Sequence, residues 1–354
     1  MTSPSGDAGM PSARRTGGDD AFGDDLHAHH PFADDAYPRS ASTDPFAGMT
    51  NLPAPARLTV GVVSAGRVGT ALGEALEKAG HVVGAVVARS PESRGRAARR
   101  LPDSEILDLD EVVARSELLL VSVPDATLGA VVDEIAASDS LRPGTIVAHT
   151  AGAHGVAVLQ PLTDRGALAI ALHPAMTFVG SEDDTARLTN ACFAITAADA
   201  VGEAIASSLV LEMGGDPVRI AEADRTLYHA ALAHGANHLI ALISDAVVAL
   251  NAAIDHSGRD TATVDGHGNR LAERILGPLV AASLRNVLEL GPSALTGPVA
   301  RGDAPAVTRH LAALRTVPGG TGPHGIADAY RTLARRAADH THAPQALIDA
   351  LEDR

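Results

Sequence analysis

The sequence predicts an α/β fold: a doubly wound parallel sheet followed by an all-helical C-terminal domain, with a disordered N-terminal tail. Three observations carry this. Residues 1–56 are rich in Ser, Pro, Gly and Asp and show neither a helical nor a strand period; such a composition cannot bury enough apolar surface to offset chain entropy. From Arg57 short apolar runs alternate with helical stretches, the spacing of βαβ units. After about Ala221 the strand signals stop and long Ala-rich amphipathic stretches take over. The expected boundaries are 1–56, 57–220 and 221–354.

Taken in order, Leu58 to Val63 reads as a buried strand and Gly66 to Ala79 as a helix, with Gly80 in the left-handed position that ends it. His81 to Ala88 is a second strand, Pro91 to Leu101 a second helix, and Ile106-Leu107 a short third strand. Leu118 to Val123 is the most apolar strand, and Asp125 is placed to cap the helix after it. Thr145 to Ala148, Ala167 to Leu172, Ala191 to Ile195 and Val218 to Ile220 continue the series, with a helix around Ala200 to Met213. Beyond these, Asp224 to Ile254 is one long helical stretch, Asp255 to Asn269 a polar loop, and helical patterns resume at 270–290, 303–315 and 325–337.

Composition excludes several function classes. The 354 residues carry a net charge of −15, the wrong sign for neutralising phosphates along a nucleic acid. No uninterrupted apolar run of membrane-spanning length is present, so no membrane association is expected. The single cysteine, Cys192, rules out an internal disulfide framework and suits a cytoplasmic location. Lys78 is the only lysine. The tail holds eight Asp against Arg14, Arg15 and Arg39, and its His27, His29 and His30 read as part of a solvated acidic segment rather than a metal tract.

Gly61 to Gly69 reads G-V-V-S-A-G-R-V-G, between a strand and a helix. There a glycine-rich turn cradles a dinucleotide pyrophosphate. Ser64 stands at the first glycine position; Gly66 lets backbone approach the anion, and Gly69 lets the helix pack on the strand. The helix N-terminus adds N–H groups and a positive dipole end. The candidate binding loop is thus Ser64, Ala65, Gly66, Arg67, Val68 and Gly69. The second strand ends Ala88-Arg89-Ser90, with Arg94 one turn on, where a site for NAD would carry a carboxylate. Arg89, Ser90 and Arg94 suit a 2′-phosphate instead, so the expected cofactor is NADP(H). Val123 and Pro124, after the fourth strand, are placed to lie across it near the ribose.

Two segments bring polar groups to strand ends: His149-Thr150-Ala151-Gly152-Ala153, and His173-Pro174-Ala175-Met176-Thr177-Phe178. Hydride acceptance needs a proton donor and a group that polarises the carbonyl or imine; His149 and Thr150 fit either role, and His173, followed by Pro174, is a rigidly placed imidazole. The alternative for each histidine is a structural side chain bonded to backbone. Further on, His229, beside Tyr228, and Asn237 are eight residues apart and sit on broadly one side of an Ala/Leu helix. His234 and His238 are spaced as a metal pair, but no third ligand is evident, so no metal is expected. Phe178 and Tyr228 adjoin these polar groups and are equally readable as packing residues.

These strings together resemble the bacterial family of Rossmann-like proteins with a helical C-terminal domain of unknown function. That family is similar to pyrroline-5-carboxylate reductases, 6-phosphogluconate-dehydrogenase-type enzymes and an alternative class of ketopantoate reductases. The resemblance runs from about Arg57 to the end, through V-V-S-A-G-R-V-G-T-A-L, H-T-A-G, A-L-H-P-A-M-T-F, Y-H-A-A-L-A-H-G-A-N-H and A-L-T-G-P-V-A-R-G-D at Ala294 to Asp303. It implies an NADP(H)-dependent reductase, dimeric through its helical domains. One departure counts. The lysine proton donor of ordinary ketopantoate reductases has no counterpart, because Lys78 lies at the far end of the first helix.

The expectation is an NADPH-dependent reductase of a small carbonyl acid, 2-dehydropantoate first, with His229 as proton donor. His149, Thr150, His173 and Asn237 would surround the substrate. The rivals are an imine reductase of the pyrroline-5-carboxylate type and a non-catalytic NADP(H)-binding regulator.

Overall fold

Residues 57–255 and 271–352 are described by a computed structural model. The expected tail disorder, its histidines and the polar loop after residue 255 lie outside them. Apolar runs flanked by turns form eight strands: β1 (Thr59–Val63), β2 (Val82–Val87), β3 (Glu105–Ile106), β4 (Leu118–Val121), β5 (Ile146–His149), β6 (Leu168–Pro174), β7 (Cys192–Ala197) and β8 (Asp216–Arg219). They make one sheet in the order β3-β2-β1-β4-β5-β6-β7-β8. The order reverses between β1 and β4, which opens a crevice outside the carboxyl ends of the strands.

The helices among these strands are α1 (Arg67–Lys78), α2 (Pro91–Arg100), α3 (Leu109–Arg115), α4 (Asp125–Ala137), α5 (Gln160–Thr163), α6 (Asp183–Leu188) and α7 (Ala200–Glu212). One sheet face packs against α1, α2, α6 and α7, with Leu72, Leu101, Leu188 and Val210 in its core. The other packs against α3, α4 and α5, around Val112, Leu128, Ile135 and Leu162. α1 ends as expected: Gly80 takes φ +95°, and His81 N–H returns to the Leu76 carbonyl at 3.0 Å.

Two expectations are corrected. β1 to β6 are parallel, but β7 runs antiparallel to β6, and β8 is parallel to β7. The reason is the connection: Ala175 N–H bonds the Cys192 carbonyl at 2.8 Å, so β7 starts where β6 ends. The six-residue α6 between them, about 9 Å long, cannot carry the chain back across the sheet. Asp125 does not cap α4 but begins it, after Pro124; its carboxylate instead accepts from Ala153 N–H at 3.2 Å. Separately, although no uninterrupted apolar run is present, Glu222–Ile254 is long and apolar enough to cross a membrane by length and composition, and none of its most apolar window is buried. Isolated polar residues break every run, which hid this average from a search for uninterrupted stretches.

After β8 come α8 (Arg225–Asp255), α9 (Leu271–Leu290), α10 (Gly297–Ala300), α11 (Ala304–Leu314), α12 (Ile326–Thr341) and α13 (Gln345–Glu352). A small core of Val307, Leu311, Ala334, Leu347 and Leu351 holds α11, α12 and α13 together. α8 and α9 contribute almost nothing to it, and Leu227, Ile240, Leu279 and Leu288 stand exposed.

Candidate functional site

β1 points its carboxyl end at the crevice, and the chain then turns through Ser64 at φ +80°. That left-handed conformation costs a non-glycine residue roughly 1–2 kcal/mol. Ser64 therefore makes the turn the first glycine would have made, under strain, which marks functional backbone. Ala65 N–H ties the loop to the Val87 carbonyl at 3.0 Å. Gly66 is the N-cap residue of α1 and supplies no side-chain cap, so the first-turn N–H groups keep no intrahelical partner.

Space around the glycines divides their roles. At Gly66 the nearest atom to an added Cβ is Ser64 Oγ at 3.5 Å, so the approach is open. At Gly69 a Cβ would lie 2.3 Å from the Ser64 carbonyl oxygen. Ser122, just after β4, touches the same spot, and its buried Oγ has no hydrogen-bond partner among the described residues. An open glycine, an uncapped helix and an orphaned hydroxyl fit a pyrophosphate-bearing ligand. Arg67 is exposed, Val68 packs partly on the core, and Val123 and Pro124 border α4.

Beside the ends of β2 and β3 lies a cleft of about 590 Å³, lined by Val87, Arg89, Arg94, Leu107, Asp108 and Glu134 among others. Arg89 and Arg94 are thus brought together. Arg89 pairs with Glu134 at 3.2 Å, both largely exposed, a rim pair worth little and easily exchanged for a phosphate. Ser90 also has a local task. It caps α2, accepting from Ser93 N–H at 3.1 Å in a reciprocal capping box. Arg96, not singled out in the sequence, donates to the Ala65 carbonyl at 3.1 Å and braces the loop.

At the reacting end the two strand-end histidines part company. His149 is fully buried. One ring nitrogen bonds the Gly155 carbonyl at 2.8 Å, and the other accepts from Ala151 N–H at 3.2 Å. Both bonds are met only by a neutral ring protonated on Nε2, and burial pushes its pKa down to about 4. No nitrogen remains for a substrate, so His149 is the structural side chain of the alternative reading. Thr150 is buried beside it, its N–H on the Val121 carbonyl at 3.2 Å. Glu222 secures the same loop by accepting from Val156 and Ala157 N–H at 2.7 and 3.2 Å.

His173 ends β6 and bonds through Nδ1 to Tyr228 Oη at 2.8 Å. The ring of His229 lies 6.0 Å from that of His173. Both press on Gly152: an added Cβ there would sit 2.8 Å from His229 Cδ2 and 2.9 Å from His173 Nε2. Tyr228 is therefore a polar partner, while Phe178 packs against the sheet core. His229 makes no hydrogen bond among the described residues. Asn237 is exposed and lies about 12 Å further along α8, so it is not drawn into this cluster. His234 and His238 bond each other at 2.8 Å on the exposed side, and no group of three metal-ligating side chains occurs among the described residues.

Residues 47–174 match the model of a Rossmann-like domain, and residues 191–337 that of a domain of unknown function, DUF2520. The chain joins a Rossmann-like domain to a DUF2520 domain. No curated protein matches it in sequence. Among solved structures it is similar to a candidate NADP oxidoreductase of Bacteroides fragilis, with 21% identity, 80% of this chain and 98% of that one covered, and a TM-score of 0.65. A reductive aminase of Aspergillus terreus in complex with NADPH and ethyl-5-oxohexanoate gives 18% identity, 83% and 99% coverage, and 0.55. An imine reductase of Myxococcus stipitatus in complex with NADP+ gives 16%, 83% and 100%, and 0.54. At such identities the likeness is one of fold.

Proposed function

We propose that this chain is an NADP(H)-dependent reductase of a small carbonyl or imine acid. The observation that carries the reading is a juxtaposition. An uncapped helix N-terminus with an open Gly66 and an orphaned Ser122 hydroxyl lies at the same sheet end as the His173–Tyr228–His229 cluster. Gly66, the first turn of α1 and Ser122 would hold the pyrophosphate, and Arg89 with Arg94 the 2′-phosphate. Bound there, the cofactor supplies hydride. The names of the fold neighbours, oxidoreductases and imine reductases, support this.

The chain's own contribution is the proton. Reduction leaves an oxygen or nitrogen that must gain one, and Lys78, at the last turn of α1, is salt-bridged to Glu74. His229, without a hydrogen bond among the described residues and against Gly152, is the donor we assign; histidine is the side chain most often used as a general acid. 2-Dehydropantoate is the first substrate to test, and a cyclic imine acid the second, which the imine reductase neighbours support. The exposed apolar side chains of α8 and α9 lead us to a homodimer formed through these helices. Following NADPH oxidation over a panel of 2-oxo acids and cyclic imines tests the reading. Turnover of either class supports it; tight NADPH binding without turnover would identify a non-catalytic regulator.

A further inference from the structure

Arg225 opens α8 and is only 1% exposed. Its Nε donates to Thr196 Oγ1 at 2.7 Å, and one Nη donates to the carbonyls of Ala194 at 3.1 Å and Ala171 at 3.4 Å. The other Nη has no hydrogen-bond partner among the described residues. No carboxylate pairs with the guanidinium among the described residues: Asp224, next to it in the chain, forms no ion pair with it, and Glu222, three residues before it, spends its oxygens on Val156 and Ala157. Removing an unpaired charge from water costs several kcal/mol, so its presence here asks for a physical account.

What Arg225 faces supplies one. Its Cζ lies 5.9 Å from the centre of the Tyr228 ring, and the Tyr228 hydroxyl meets His173 Nδ1 at 2.8 Å, the two rings edge to face. That bond can run two ways. If His173 donates, its Nε2 is bare. If Tyr228 donates, Nε2 carries the proton and presents it beside Gly152.

We propose that Arg225 is a positioning residue that fixes the second arrangement, holding His173 neutral with its proton on Nε2 as a hydrogen-bond donor to the substrate's oxygen or nitrogen. A cation beside the phenol makes its hydroxyl the better donor and opposes a second positive charge on the imidazole. Every element around the ring enters this balance. Burial acts first against the imidazolium, then His229 and Arg225 on α8, while Asp125 on α4 opposes them, and the result holds His173 at about 4. Arg225 likewise counters the effects of burial and of Cys192 on the Tyr228 hydroxyl, and Glu222 and Tyr228 act in turn on Arg225. A neutral N–H donor selects a group with a free lone pair, a carbonyl or uncharged imine, over an iminium whose nitrogen has none. This catalytic use rests on the proposed reduction; the protonation state of the ring does not.

The test is long-range ¹H–¹⁵N correlation on full-length protein labelled at histidine, with no cofactor or substrate added, His173 being assigned by loss of its signals in His173→Gln. The expected pattern is a neutral ring protonated on Nε2 down to at least one pH unit below free histidine. Tyr228→Phe, which deletes one hydroxyl and keeps the ring, should mix the two neutral forms. Arg225→Met should move the His173 midpoint up by one unit or more, and Arg225→Lys should restore it. A wild-type His173 that titrates like free histidine, or carries its proton on Nδ1, overturns the proposal, as does an unchanged midpoint in Arg225→Met. Should Arg225→Met not fold, the wild-type and Tyr228→Phe spectra still decide. Absence of reductase activity beside the expected spectra would sink the function and leave this inference standing.

Discussion

His149 and His173 end adjacent strands, yet one ring is consumed by backbone and the other is turned to the cluster at Gly152. The buried neutral His149 has a measurable consequence. Its pKa is about 4 in the fold against roughly 6.5 in the unfolded chain, so the unfolded state binds more protons between those values. Stability should therefore fall as pH drops from about 6.5 towards 4, by on the order of 3 kcal/mol for this group. His149→Asn should flatten that slope in denaturant titrations at pH 7 and pH 5, while lowering stability at pH 7 through loss of the loop bonds. An unchanged slope would mean that the ring binds its proton equally well in the folded and unfolded chain. His229 makes the opposite prediction. His229→Gln should keep NADPH binding and lower kcat by about 10²–10⁴-fold, the worth of a general acid. His234→Gln, whose parent ring bonds only His238 on an exposed surface, should do little. At the cofactor end, NADPH should bind more tightly than NADH. Arg89→Ala should remove roughly 1.5–3 kcal/mol of that preference, the range for a charge-assisted bond, as read by titration of both cofactors.

At the scale of elements, the first strand-turn-helix is where sequence and structure agree most closely. Gly69 admits no Cβ without displacing the Ser64 carbonyl. Gly69→Ala should therefore cost about 1–3 kcal/mol of stability by overpacking and weaken NADPH further by prising α1 from β1. Thermal melts with and without NADPH separate the two effects, and an unshifted melt would show the turn relaxing freely. The strands were legible because a parallel strand buried on both faces is a continuous apolar run, as in Leu118 to Val121. The reversal of β7 was not, because such a run reads alike in either direction and only the short α6 betrays it. α3, α5 and α6, of seven, four and six residues, complete too few turns to show a period. The phosphate loop was readable from its glycines. Arg225 was not: it stands in the polar run Glu222-Ala-Asp224-Arg225, where nothing local foretells that one charge is folded inward beneath the site.

For the whole molecule the open question is what covers α8 and α9. Leu227, Ile240 and Leu242 on one helix, and Ile275, Leu279 and Leu288 on the other, are each more than two-fifths exposed, and so many large apolar side chains left in water mark an interaction surface. A bilayer is a poor cover. α8 carries His229, His234, Asn237, His238 and Asp245 along its length, and an aspartate near the middle of a span costs about 2.5–3.5 kcal/mol. The helix is also fastened at Arg225 to β6 and β7, which holds its first turn at the sheet. A second copy meets the same face with its own apolar and polar residues, and a two-fold interface is the commonest closed solution. The chain should therefore sediment as a dimer at micromolar concentration, and its melting temperature should rise with concentration, because association stabilises by mass action. Ile240→Asp combined with Leu279→Asp should yield a monomer with a lower, concentration-independent melt. A wild-type monomer in sedimentation, or wild-type protein that partitions onto lipid vesicles, would show that something other than a second copy covers these helices.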